Sequence, residues 1–144
     1  MPIRMTDFPS WLLGQASTQA QRLLTERLGP MGIRGYHFRL LVALDAGGPA
    51  SQAALGRQTG IHVSEIVAAL NELAEAGHVE RSPDPDDRRR NVITITAAGR
   101  RQLDTLHREV RAVQEDLLAP LAPAEREQFM ALLRRIVVSP DERH

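Results

Sequence analysis

The 144-residue sequence predicts a mainly α, α+β fold in which amphipathic helices surround one short β-hairpin. Three observations carry this. Apolar residues recur three and four apart through most of the chain. The segment NVITIT alternates with a period of two, as a half-buried strand does. Glycine and proline separate the runs, at Gly29-Pro30, Gly47-Gly48-Pro49, Gly60, Gly77 and Pro120. The length suits one domain, spanning residues 1–144.

The elements follow in order. Residues 8–28 form a helix with Phe8, Leu12, Ala16, Leu23 and Leu24 near one face, stopped by Gly29-Pro30. A second helix spans 36–46, with Phe38, Leu41, Val42 and Leu44 apolar. Ser51 is an N-cap for the short helix QAALGRQTG, which Gly60 closes. The next helix runs over 63–76, burying Ile66, Leu70 and Leu73, with Gly77 at its C-cap. HVERS and NVITIT then make a hairpin whose loop exceeds the common two to five residues. Thr96 caps a long helix over 97–119. There Leu103, Leu106, Val110, Val113 and Leu117 form a seam over two heptads. After Pro120 and Pro123 a last helix carries Phe129, Leu132, Leu133, Ile136 and Val137, and SPDERH frays.

Composition narrows the chemistry. Hydrophobic residues are 42% and charged residues 25%, as in a globular chain. Aromatics are only 3%, so the core is built of Leu, Val, Ile and Ala. Formal net charge is zero, which argues against a generally basic coat but not against local patches. All 18 basic residues are arginine, as codon bias in a GC-rich genome produces. The absence of cysteine excludes disulfides and thiol chemistry. MPIRMTDFPSWLLG is too short an apolar run for a signal peptide, and no stretch approaches the roughly 20 residues of a membrane span. A cytoplasmic protein without membrane partners is expected.

A short helix, the tight turn Thr59-Gly60-Ile61 and a second amphipathic helix make a helix-turn-helix pattern. A β-hairpin with an arginine tip converts it into a winged helix, and the physics suits duplex DNA. A helix N-terminus offers free N–H groups to phosphate, which brings in Ser51 and Gln52. A narrow minor groove attracts inserted arginine. Between Arg81 and Arg101 six arginines stand against three aspartates, a local charge of +3.

The stretch from QAALGRQTG to ITITAAGRRQL resembles the MarR family of bacterial transcriptional regulators. DPDDRR, the alternating strand after it, the T-x-x-G of ITITAAG and ELAEAGHVER carry the resemblance. It extends over nearly the whole chain. It implies a homodimer with a winged helix-turn-helix over 36–96 in each subunit, N- and C-terminal dimerisation helices over 8–30 and 97–138, and a pseudo-palindromic operator. It also implies that Arg89 enters the minor groove, that Asp87 holds it, and that Arg88 and Arg90 lie near the backbone. The recognition helix departs from the family, with Val67 and Ala68 where polar or basic residues are common. Direct readout then falls to His62, Val63 and Ser64, to Glu65 against a cytosine amine, and to methyl contacts from Val67 or Ala68.

Blander readings stand beside these. The arginine run is otherwise a solvated turn, and the heptad seam is otherwise packing within one subunit. A surplus of apolar helices favours a dimer interface there. Trp11, Tyr36 and His37 are candidate pocket residues, since family members bind aromatic carboxylates between the lobes, or they are core and dimer contacts. His37, His62, His78, His107 and His144 show no metal-ligand spacing, so no metal or cofactor is expected. An enzyme is disfavoured: there is no phosphate loop and no nucleophile elbow, and Asp86 and Asp87 lie in an exposed turn. The alternative is a winged helix used only for protein contacts.

Overall fold

The computed structural model describes residues 1–137. Its order is α1 (Pro9–Leu28), α2 (Gly35–Gly47), β1 (Ala50–Ser51), α3 (Gln52–Thr59), α4 (Val63–Glu75), β2 (Val79–Pro83), β3 (Asn91–Ile95), α5 (Ala97–Leu117) and α6 (Pro123–Ile136). The strands form one antiparallel sheet, ordered β1-β3-β2, in which Val79 faces Ile95 and Pro83 faces Asn91. The architecture is a winged helix with helical extensions at both ends. The fate of SPDERH lies outside the described residues.

Local chemistry sets the boundaries. Ser51 Oγ accepts the Ala54 N–H at 3.1 Å and starts α3. Gly60 takes φ +72°, a left-handed turn that ends α3 without a Cβ penalty. Thr59 Oγ1 donates to the Leu55 carbonyl at 2.6 Å and accepts from Ile61 N–H at 3.3 Å, which tightens the corner into α4. Helix α4 ends one residue earlier than the sequence suggests. Ala76 is its C-cap, and Gly77 follows at φ +80°.

The core joins Leu28 of α1, Leu40, Leu41 and Leu44 of α2, Leu55 of α3, Ile66, Leu70 and Leu73 of α4, Ile93 of β3 and Leu106 of α5. Two sequence expectations change here. Val42 is exposed, and His37 and Leu40 are buried in its place on α2. The heptad seam belongs to the subunit's own core: Leu103, Leu106 and Val113 are buried within it, because α5 packs on α1 and α2. An Arg27–Glu109 pair at 2.6 Å ties α1 to α5. Exposed apolar residues gather instead at Phe8, Leu12 and Leu13 near the start of α1, and at Phe129, Met130, Leu132 and Ile136 of α6.

The T-x-x-G signature has a structural cause. Thr96 Oγ1 accepts the Gly99 N–H at 3.0 Å and donates to the Gly77 carbonyl at 2.6 Å. Thr96 N–H reaches the His78 carbonyl at 3.1 Å. Gly99 is buried, and a Cβ there would lie 2.1 Å from that same His78 oxygen. Backbone cannot yield as a flexible side chain can. Gly99→Ala is expected to destabilise the fold by about 2–3 kcal/mol, and Thr96→Ala by about 1 kcal/mol. Urea denaturation of both variants checks this; an unchanged midpoint for Gly99→Ala would show that α5 can retreat at no cost.

Candidate nucleic-acid interface

The hydrophobic stripe of α4 dictates what it can present outward. Ile66, Ala69, Leu70 and Leu73 are buried, so Val63, Ser64, Val67, Ala68 and Asn71 form the free face. At the helix start His62 Nδ1 accepts the Ser64 N–H at 3.2 Å and lies 2.8 Å from Ser64 Oγ. With Nδ1 engaged in the cap, Nε2 is the ring nitrogen left for an outside partner. His62 and Ser64 therefore stand together at the tip of α4.

Glu65 is exposed on α4, and its carboxylate raises the pKa of the Tyr36 phenol on α2. Asn71 and Arg81 were not singled out in the sequence. Arg81 of β2 donates to Asn71 Oδ1 at 2.7 Å, linking wing to recognition helix. The signal for Asn71 was its place seven residues beyond Ser64 on the same face; nothing local marked its partner.

The wing loop, residues 84–90, is an internally braced turn. Asp87 Oδ1 accepts both the backbone N–H and the Nε–H of Arg89, each at 3.1 Å. These two bonds from Arg89 hold the Asp87 carboxyl below its ordinary pKa. The brace is thus fully present above the usual carboxylate range and is lost only as pH falls through that lowered pKa. Arg89 itself is 91% exposed. Asp84, also missed from sequence, accepts from Arg90 at 3.2 Å and from Asp86 N–H at 2.9 Å, while its own N–H reaches the Arg90 carbonyl at 2.8 Å. Arg90 is folded toward Asp84, and Arg88 is exposed. Below the wing Arg81, Arg90 and Asn91 share a shallow groove with Ser51 and Gln52 at the start of α3. The Ser51 hydroxyl is already engaged as a cap.

The proposed pocket residues separate. A cavity of about 760 Å³ lies between α1, α2 and α4, lined by Leu24, Ile33, Arg34, Tyr36, Arg39 and Glu72 among others. Tyr36 is in its wall. His37 lines a smaller cavity of about 310 Å³, for which Glu72 is also a wall. Trp11 lines neither, because it lies thirteen residues before Leu24 on α1, about 20 Å along the axis. The cations came from outside the sequence reading. Arg39 stacks over the Tyr36 ring at 5.2 Å and donates to the Thr59 carbonyl at 3.3 Å. Arg34 is only loosely paired with Glu72, at 4.0 Å.

With this geometry in place, a family model described as "MarR family" matches residues 31–90. The chain belongs to the MarR family. The HTH-type transcriptional repressor NicR of Pseudomonas putida is 28% identical over 140 residues, covering 97% of this chain and 89% of NicR. The structure is similar to that of a probable transcriptional regulator from Pseudomonas aeruginosa, with TM-score 0.84 and 33% identity over 93% of this chain and 100% of that one. Bordetella bronchiseptica BpsR, whose DNA binding is regulated by 6-hydroxynicotinic acid, gives TM-score 0.84 at 23% identity, covering 94% and 97% of the two chains. This MarR-family chain is a winged-helix DNA-binding transcriptional regulator.

The brace makes a mutational contrast. Arg89→Ala should cost about 1–3 kcal/mol of DNA affinity, most at sites with a narrow A·T-rich minor groove. Asp87→Ala removes a negative charge, so bare electrostatics predicts tighter binding. Loss of both Arg89 bonds predicts weaker specific binding. Titration of DNA at matched salt decides; a tighter Asp87→Ala complex with intact fold eliminates the bracing role.

Proposed function

We propose that the protein is a homodimeric repressor of a pseudo-palindromic operator, released by a small aromatic carboxylate. The observation that carries the reading is the braced, outward Arg89 beside an α4 face free of the core. Arg89 enters the minor groove flanking each half-site. His62 and Ser64 touch base edges, and Val63, Val67 and Ala68 supply apolar contact to thymine methyls. Arg88, and the N–H groups of α3 beginning at Ser51 and Gln52, meet phosphate. Residues 36–96 form the DNA-binding lobe, and residues 8–30 and 97–138 the dimerisation lobe.

The dimer surface is supported by the apolar groove between α1 and α6, where Pro9, Leu12, Leu13, Ala16, Phe129, Leu132, Leu133 and Ile136 meet. A twofold mate that covers it removes this apolar surface from water. Leu12→Glu together with Leu132→Glu should therefore yield folded monomers near 16.0 kDa by light scattering. Leu106→Glu, which places charge in the subunit core, should instead unfold the chain. A wild-type mass of one chain at micromolar concentration rules the dimer out.

The ligand reading rests on Arg34 and Arg39 around a cavity walled by α1 on one side and by α2 and Glu72 of α4 on the other. A carboxylate between them would alter the α1–α2 angle and so the spacing of two recognition helices, which must match roughly 34 Å, one DNA turn. The resemblance to BpsR adds 6-hydroxynicotinic acid to the salicylate-like acids worth testing. Selection of bound genomic fragments should recover inverted repeats whose affinity falls steeply with salt. No enrichment over competitor DNA favours a protein-contact module instead. Acids titrated against the recovered complex should release it, and Arg34→Ala should blunt the response. No release at millimolar acid removes this ligand class.

A further inference from the structure

His37 is buried to 4% exposure, and its Nε2 has no hydrogen-bond partner among the described residues. Its other nitrogen is occupied. Nδ1 accepts the Arg34 N–H at 3.3 Å, from the third position of α2 back to the residue that caps it. A side chain reaching back in this way is the usual work of Glu or Gln at that position. A histidine can do it only while Nδ1 is unprotonated. The proton then sits on Nε2, which lies 3.5 Å from Glu72 Oε2 without a hydrogen bond to it. The other oxygen of that carboxylate lies 4.0 Å from Arg34 NH1. One carboxylate thus stands between a buried imidazole and an arginine of the large cavity.

The charged and titratable groups around the ring come from three places. Glu72 and Glu75 project from α4, Arg34 begins α2, and His78 follows α4. Burial is the largest influence and lowers the His37 pKa; Glu72 opposes it, and Arg34 and His78 reinforce it. The ring is therefore neutral near pH 7.

We propose that His37 is a proton-operated latch, closed when its neutral Nδ1 caps α2 and opened when that nitrogen is protonated, and that an anion occupying the Arg34–Arg39 cavity opens it. This deepens the ligand reading above and rests on it for the anion-coupled half. An acid bound by Arg34 draws the guanidinium away from Glu72. The carboxylate is then free to pair with an imidazolium, and the ligand's own charge favours the cation further. One proton is taken from solvent per subunit. Nδ1–H faces Arg34 N–H, donor against donor, so the first turn of α2 must give way. That turn joins α1 to the DNA-binding lobe, and its loosening carries occupancy of the cavity to the recognition helices.

Ligand raises the affinity of His37 for a proton, so acid binding tightens as pH falls through the window between the ligand-free and ligand-bound titrations of the ring. The test uses His37→Gln, because glutamine keeps an acceptor for Arg34 N–H and cannot titrate. Salicylate is titrated into the wild-type dimer at about pH 6 in buffers of different ionisation enthalpy. Net proton uptake, up to one per site, is expected for wild type and for His78→Gln, and none for His37→Gln. Uptake by His37→Gln equal to wild type, or binding to wild type with no uptake, overturns the coupling. If salicylate binds at no pH, the cavity reading fails for that acid, and the latch is decided without ligand. Operator affinity of wild type relative to His37→Gln should then fall by up to about tenfold per pH unit for each subunit, about a hundredfold for the dimer, below the ring's titration. A ratio that stays unchanged across the pH range in which NMR shows the His37 ring to titrate overturns the latch itself.

Discussion

The backbone of α5 approaches the His78 carbonyl so closely that residue 99 has no room for a side chain, and the geometry of the DNA-reading surface follows from that contact. Three segments meet there. The turn after the recognition helix supplies the Gly77 and His78 carbonyls, the last residue of β3 pairs with the first of β2, and α5 begins at Ala97. Thr96 follows β3 directly and bonds the turn and α5 through its backbone and hydroxyl. The wing and the recognition helix therefore cannot shift separately where they meet α5. The Arg81–Asn71 bond makes the same connection nearer the DNA face. On the other side, the joint between α1 and α2 turns through Gly32 at φ +71°, and the His37 side chain reaches back to the N–H of Arg34, the N-cap of α2.

A chain of zero net charge must concentrate its positive potential to hold DNA. The wing does so by geometry rather than by excess charge. Asp84 and Asp87 each engage an arginine, yet the two pairs differ in effect. Arg90 is drawn inward against the 15% exposed side chain of Asp84 and helps close the loop. Arg89 is fixed at its base through Nε and keeps most of its surface in solvent. Holding a flexible guanidinium in place removes part of the side-chain entropy cost of insertion before DNA arrives. The same carboxylates repel phosphate, so loose contact with any duplex is penalised while a seated arginine is not.

The sequence revealed what is local and hid what is tertiary. Ser51, Gly60 and Thr96 mark their helix ends by hydrogen bonds within a few residues, so α3, α5 and the hairpin were legible. Val67 and Ala68 were rightly placed on the outer face, because Ile66, Leu70 and Leu73 fix its opposite. Strand β1 was invisible: two residues carry no period, and only pairing with Ile93 and Val92 makes them a strand. The heptad of α5 was visible, but a seam says only that something apolar covers it. That α1 and α2 do so, and not a second chain, depends on packing. The same holds for Glu65, Arg34, Arg39 and Glu72, whose partners lie on other helices and whose spacing resembles any solvated face.

Moving the seam inward changes what a dimer can transmit. Had α5 met its mate along Leu106 and Val113, ligand between the lobes would have had to disturb a two-chain core. With α5 packed inside its own subunit, the apolar surface left for a mate lies at the start of α1 and on α6, far along α1 from the cavity. Helix α1 then spans both regions. Its first turns carry the exposed Leu12 and Leu13, and near its other end Leu24 lines the cavity beside Arg34. A helix anchored at one end and pried at the other is a lever. Under the proposed ligand control, a small displacement near Arg34 would be carried to the DNA-binding lobe as a whole, because Thr96 and Gly99 join the wing and recognition helix to α5. The rigid contact and the yielding joint are complementary: without the first, strain in the cavity would dissipate in the wing, and without the second it would have nowhere to act.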